Sequence, residues 1–328
     1  MDIPAIALAA GLVGWTPFAL KTPATRPVDS AAPAAGPIVD SGSLSPVSRD
    51  ALADAFASAG LVAVGEKHDS PDHHQVQAEM LALLADRVPA TAVGLEMVSY
   101  EDQPILDAFS SGAMSESAFA AWWKKNWGFD YALYRPVFDE ARRRRLPLYG
   151  LNAPAALVKA VAKNGLAGLS PADRARLPAQ ISESSDARYR AYVYKSVTSH
   201  AADKPNTLKK CMISMGFQTA SDPDAVARML MAMAVWNETM GEQAARRIAE
   251  GKTLFLVAGQ GHVLYKAGVP ESAARRGAGP NVVLLPYPFE DESLSIPELL
   301  ARLRDPAAGQ RELADYFRLI PSPHSRVW

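Results

Sequence analysis

Five short apolar runs constrain this chain most: 61–65 (LVAVG), 91–95 (TAVGL), 146–151 (LPLYGL), 253–258 (TLFLVA) and 281–285 (NVVLL). None alternates with polar residues, so each predicts a strand covered on both faces, as in a parallel sheet. Helical patterns lie between them. In 71–87, Ser70 stands at the N-cap position and Pro71 at the first helical position. Strands alternating with helices predict an α/β fold, a three-layer sandwich around a mostly parallel sheet. About a hundred residues separate the third run from the fourth, far more than one crossover requires. Their segments (NAPAALVKAVAKNGL, DARYRAYVYKSV, DPDAVARMLMAMAVWNETMGEQAARRIAEG) have helical patterns. Residues 153–250 are therefore expected as an inserted helical subdomain, with 47–152 and 251–328 forming a discontinuous α/β core.

Residues 1–46 look different. IPAIALAAGLVGWTPFAL has signal-peptide size and small residues suited to cleavage, but it follows Asp2 and lacks a basic n-region. Pro4, Gly11, Gly14 and Pro17 argue against a membrane-spanning helix. It predicts export, to the periplasm or the outer membrane, or a cytoplasmic location if the leader is not a signal. No cysteine follows it to carry a lipid. Residues 22–46, rich in Pro, Ala and Ser, read as a disordered linker. The net charge of −1 leaves no cationic excess for a nucleic-acid partner. The basic run Arg142–Arg145 follows an acidic pair and reads as a solvated helix end. Cys211 is the only cysteine, which excludes an intrachain disulfide, and it reads as a packed thiol.

The predicted strands end on polar residues: Glu66 and His68 after the first, Glu96 after the second, Asn152 after the third, His262 after the fourth. The carboxyl edge of an open α/β sheet is where ligands bind. Glu66 and His68, two apart, point the same way on an extended strand end. Two carboxylates and two imidazoles suit a divalent metal such as zinc, or a metal-free acid/base pair in which a carboxylate holds the histidine tautomer. Gly65, Gly94, Gly259 and Gly261 suit tight turns near such a site. His73 and Gln77, one helical turn apart, lean over the same crevice, whereas His74 is expected in solvent. Arg135 can pair with a site carboxylate or a ligand carboxylate, or form a structural ion pair. Asn152 is either a site residue or a helix cap.

Taken in order, VGEKHDSPDHHQVQ, VGLEM, WGFDYALYRPVFDEA, LNAP, VWNETM and LVAGQGHVLYKAGVP resemble the ChaN-like haem-binding uptake family, in the wider grouping with Tiki, TraB and the erythromycin esterases. The resemblance spans roughly residues 58–290 and implies an α/β sandwich with an inserted helical lobe. It also implies a role in iron and haem uptake at the outer membrane, with haem held between two protomers of a homodimer by tyrosine ligation. Tyr189 and Tyr192, on one helix face of YRAYVY, are the candidate ligands here, and the stripe Met229, Met233, Trp236, Met240 is either a slot wall or core. The wider grouping implies an alternative, a metal-dependent protease or esterase built on Glu66, His68, Glu96 and His262.

Overall fold

The computed structural model describes residues 36–43, 45–198, 223–289, 298 and 313–321. The expected leader and Cys211 lie outside them. The strands are β1 (Ile38–Asp40), β2 (Pro46–Val47), β3 (Leu61–Glu66), β4 (Thr91–Ser99), β5 (Leu148–Asn152), β6 (Thr253–Gly259), β7 (Asn281–Phe289) and β8 (Tyr316–Pro321). They form one sheet in the order β2-β1-β8-β7-β3-β6-β4-β5. From β8 to β5 neighbouring strands run parallel, and β1 pairs antiparallel with both β8 and β2. The α/β sandwich read from the apolar runs is thus the fold. All five expected strands are present, and β1, β2 and β8 are additional. β1 and β2 fall inside or beside the stretch that composition assigns to linker; the pairing of β1 with β8 and of β2 with β1 orders the short IVD and PV segments, which are too brief to stand out from their Pro, Ser and Gly neighbours.

Strand side chains alternate between two cores. Leu61, Ala63, Ala92, Leu254, Leu256 and Val283 face one core. It is shared with helices α6 (Ala155–Asn164), α8 (Ala187–Thr198), α9 (Pro223–Ala249) and α10 (Val269–Arg275). Val62, Val64, Val93, Leu95, Phe255 and Val257 face the other, with α1 (Arg49–Ala57), α2 (Pro71–Arg87), α3 (Gln103–Ser110), α4 (Glu116–Trp127) and α5 (Tyr131–Arg143). The short α7 (Pro171–Ala175) lies between α6 and α8 in the chain. The described helices of 153–250 thus share their core with the sheet as one outer layer. Met229, Met233, Trp236 and Met240 of α9 are all buried in it, so the stripe is core and walls no open slot. No helix among the described residues is long and apolar enough to cross a membrane.

Three local features set where the elements begin and end. The helix α2 begins at Pro71 as expected, but the Ser70 side chain makes no capping hydrogen bond. The helix α5 ends on Arg145 with φ 57°, whose N–H donates to Arg142 O (3.0 Å) while Leu146 N–H donates to Ala141 O (2.9 Å). That left-handed closure takes up 146–147 and delays β5 to Leu148. At the β5 edge, the Gln103 side chain behaves like a strand residue: its Nε2 donates to Leu148 O (2.8 Å) and its Oε1 accepts from Gly150 N–H (3.0 Å).

Candidate functional site

The strands β3, β6 and β4 are neighbours, with Glu66 opposite Gly259 and Leu95 opposite Val257. Their carboxyl ends bring Glu66, His68, Glu96 and His262 to one rim, with 0, 3, 2 and 4% exposure respectively. The convergence has two halves, because Glu66 continues the face of Val62 and Val64 while Glu96 continues the opposite face, that of Ala92.

On the α2/α5 face, Glu66 Oε1 accepts from Tyr134 Oη (2.7 Å) and pairs with His68 Nδ1 (2.8 Å). Its Oε2 lies 3.3 Å from His74 Nδ1. His74 Nδ1 also faces Gln77 Oε1 (3.0 Å), and its Nε2 faces the His68 carbonyl (3.3 Å). Gln77 is oriented by donating Nε2 to Val64 O (2.9 Å). Every group around His74 is thus an acceptor, which requires both ring nitrogens to carry protons. Burial alone would lower the His74 pKa; Glu66 and these hydrogen bonds outweigh it and raise it. Burial raises the Glu66 pKa, but the charge of His74 and the bonds from His68 and His74 hold the carboxyl well below its ordinary range. His68 then donates Nδ1–H to Glu66, with its ring packed against Trp127 (4.9 Å) and Phe129 (5.3 Å). Trp127 Nε1 in turn donates to Tyr134 Oη (3.0 Å).

On the opposite face, Glu96 falls within an irregular stretch of β4, between the pairs Leu95–Gly150 and Ser99–Asn152. Asn152 pins this irregularity by donating Nδ2 to the Glu96 carbonyl (2.8 Å), while its Oδ1 accepts from Ala153 N–H (2.8 Å). Such irregularities re-aim side chains. Glu96 Oε2 accepts from Gly259 N–H (2.5 Å), and Oε1 lies 3.2 Å from His262 Nε2. His262 Nδ1 pairs with Asn237 Oδ1 (2.7 Å), Asn237 Nδ2 donates to Tyr189 Oη (2.9 Å), and Tyr189 Oη donates to Gly261 O (2.7 Å). Burial raises the Glu96 pKa, but His262 and then His68 more than offset it, and the net shift is downward. The two halves meet at Gly259. A Cβ there would stand 2.7 Å from His68 Cε1, 3.0 Å from His68 Nε2 and 3.4 Å from Glu96 Oε2. This glycine serves close approach rather than a turn, since its φ is −56°.

Several expected roles are corrected by these contacts. Among the described residues no group of three or more His, Cys, Asp or Glu could hold a metal ion. Glu66, His68, Glu96 and His262 do not form the zinc site that their types suggested, because each imidazole turns to its own carboxylate and the carboxylates occupy opposite faces of the sheet. His73 accepts from Lys67 N–H through Nδ1 (3.1 Å). Burial and then Lys67 hold its pKa down to about 3, so it is a neutral structural group. His74, expected in solvent, is fully buried and is a main partner of Glu66. Arg135 is 58% exposed and pairs with Glu116 (3.2 Å) and Asp139 (3.4 Å); it reaches neither Glu66 nor Glu96. Tyr189 is buried, and its hydroxyl is committed as both donor and acceptor. Tyr192 is half-buried, and burial pushes its pKa up to about 12. Neither fits axial ligation of iron by a phenolate. Tyr194 of the same helix is 54% exposed.

Sequence reasoning missed Tyr134, His74 and Asn237 as network members. Tyr134 and Asn237 sit within WGFDYALYRPVFDEA and VWNETM, and Asn237 shares the buried face of Met233 and Met240. That face was the available signal.

The fold and site define a class: α/β sandwiches carrying a buried carboxylate–imidazole cluster across neighbouring strand ends. Within it, the chain belongs to the family described as haem-binding uptake, Tiki superfamily, ChaN, which matches residues 52–272. Among solved structures, ChaN of Campylobacter jejuni, described as binding haem cofacially, aligns at a TM-score of 0.60 with 13% identity, over 89% of this chain and 99% of that one. The type III effector HopBA1 aligns at 0.44 with 14% identity, over 84% and 93%. An erythromycin esterase, EreC, aligns at 0.41 with 11% identity, over 78% and 80%. No curated protein matches the sequence.

Proposed function

We propose that this protein binds ferric haem through Tyr194, as an exported or envelope-associated component of haem and iron uptake. Family membership over 52–272 makes haem the expected ligand. The observation that supports a particular residue is the exposure of Tyr194 beside two tyrosines that are turned inward. Tyr194 would hold the haem through its phenolate oxygen, and the bound haem would supply a ferric iron. An outward-facing ligand leaves the second haem face available to a partner copy, which agrees with the cofacial arrangement named for the Campylobacter protein. Titration with ferric haem, followed at the Soret band, tests the reading. Wild type and Tyr189→Phe should saturate alike, and Tyr194→Phe should bind at least about tenfold more weakly, the loss of one ligand bond worth over about 1.4 kcal/mol. A Soret change no larger than an unrelated protein produces would exclude haem as the ligand.

A hydrolytic reading rests on one observation: Glu66 orients His68 through Nδ1 (2.8 Å), with Nε2 on the side of Gly259. A carboxylate-held imidazole is suited to take a proton from a nucleophile. Against it stands the burial of the whole cluster, with His68 only 3% exposed. Hydrolysis of a small activated ester, present in wild type and lost in His68→Ala, would favour this second role.

A further inference from the structure

A cavity of about 970 Å3 lies beside the edge strand β5, and no residue of α8, the helix of Tyr194, lines it. One wall is the C-terminal half of α9, where Thr239, Gln243, Arg246 and Arg247 share a helix face. The facing wall carries Glu101, Arg174 and Arg176 from the Tyr100–Asp102 turn and the α7 region. Tyr100, Pro171 and Leu177 add apolar surface.

Two polar groups on the helical wall lack partners. Thr239 is 1% exposed, and its Oγ1 has no hydrogen-bond partner among the described residues, although a helical threonine commonly returns its hydroxyl to a carbonyl of the preceding turn. Arg247 Nε is buried and unpartnered as well, while Nη1 holds Glu250 (2.9 and 3.0 Å) and the guanidinium covers the Tyr149 ring at 4.5 Å. Leaving a buried donor unmade is unfavourable, a cost that a bound ligand would remove. Gln243, 6% exposed, lies between them on the same face. The lining has four guanidiniums (Arg174, Arg176, Arg246, Arg247) against two carboxylates (Glu101, Glu242). Arg176 is saturated by Glu101 (2.9 and 2.8 Å), and Arg174 by the carbonyls of Pro178 and Ala179 (both 2.7 Å). Arg246 is 59% exposed and, among the described residues, is tied to Glu242 at 3.1 Å, so it can turn to a ligand.

We propose that this cavity binds a small organic anion with two or more carboxylates, its acid groups meeting Arg246 and Arg247 and its polar body hydrogen-bonding Thr239 and Gln243. A concentrated phosphate dianion suits the site less. The helical wall belongs to the carbonyl end of α9, where the helix dipole is negative, and the N–H of Gly150 is already taken by Gln103, so neither offers the backbone donors that phosphate sites use.

Calorimetric titration of the full chain with citrate tests the assignment, with inorganic phosphate as the comparison probe. Citrate should bind saturably, and at least tenfold more weakly in Arg246→Ala and in Thr239→Val. Thr239→Val keeps shape and removes only the unpartnered hydroxyl, so the ligand-free variant should melt at or above the wild-type temperature, which separates lost binding from lost folding. Haem titration should be unchanged in both variants. Absence of saturation with citrate, or equal affinity in the variants, overturns the site. Phosphate binding as tightly as citrate overturns the carboxylate assignment. Loss of haem binding in either variant would make the cavity part of the haem site and overturn its independence, whereas failure of the haem reading alone would leave citrate binding intact.

Discussion

Glu66 is ionised without contact with bulk water because three groups answer its charge: Tyr134, His68 and His74. Removing one charge of a buried pair strands the other. Glu66→Gln should therefore cost about 3–5 kcal/mol in urea unfolding, and adding His74→Gln should return part of that loss, a coupling that a double-mutant cycle reads directly. Gly259→Ala acts on the same cluster by volume. The added methyl would meet a His68 ring already fixed by Glu66, Trp127 and Phe129, so a loss of about 1–3 kcal/mol is expected, measured by the shift in urea midpoint. At this scale the sequence exposes Glu66, His68, Glu96 and His262, because a polar residue ending an unbroken apolar run has few other reasons to be there. It hides His74, whose neighbour His73 and helical setting look equally compatible with solvent, and it hides Tyr134 and Asn237, whose polar tips arrive from helices that register only as apolar stripes.

Helix ends and strand edges limit what patterning reveals about elements. The run 146–151 reads as a strand from its first residue, yet Leu146 closes the end of α5 by donating to Ala141 O. The cause is Arg145 at φ 57°, a conformation that costs an L-residue roughly 1–2 kcal/mol and that glycine adopts freely. Arg145 is exposed, so Arg145→Gly should raise stability by about 1 kcal/mol, seen as a higher urea midpoint with unchanged slope. The strands β1, β2 and β8 escape notice for a different reason. They lie together at one side of the sheet, with β2 as its border strand, and β1 and β2, three and two residues long, are too short to register as a pattern.

For the molecule as a whole, buried titration sets a stability maximum. Glu66 and Glu96 have depressed folded pKa values. The stability they contribute is complete above their unfolded value, about 4.5, and is lost as pH falls through the folded values. His73, held down to about 3 from 6.5, takes a proton in the unfolded chain first, so stability also declines as pH falls from 6.5 toward 3. His74 has the opposite sign: its raised pKa contributes stability that is full below 6.5 and lost as pH rises through the folded value. Urea midpoints measured across pH should therefore fall on both sides, and His73→Asn, whose amide oxygen can still accept from Lys67 N–H, should flatten the acid side between 6.5 and about 3.

Gln103 occupies the hydrogen-bonding groups of the outermost strand, and the far border of the sheet is the two-residue β2, which begins with a proline. Two of the groups that β5 would offer a further strand are thus taken, and β2 offers only a two-residue border that begins with a residue lacking an N–H, so both borders are poor templates for strand addition. Of the surfaces the described residues present, the two sheet borders are thereby the poorest templates for another chain, and the helical layers carry the larger open area.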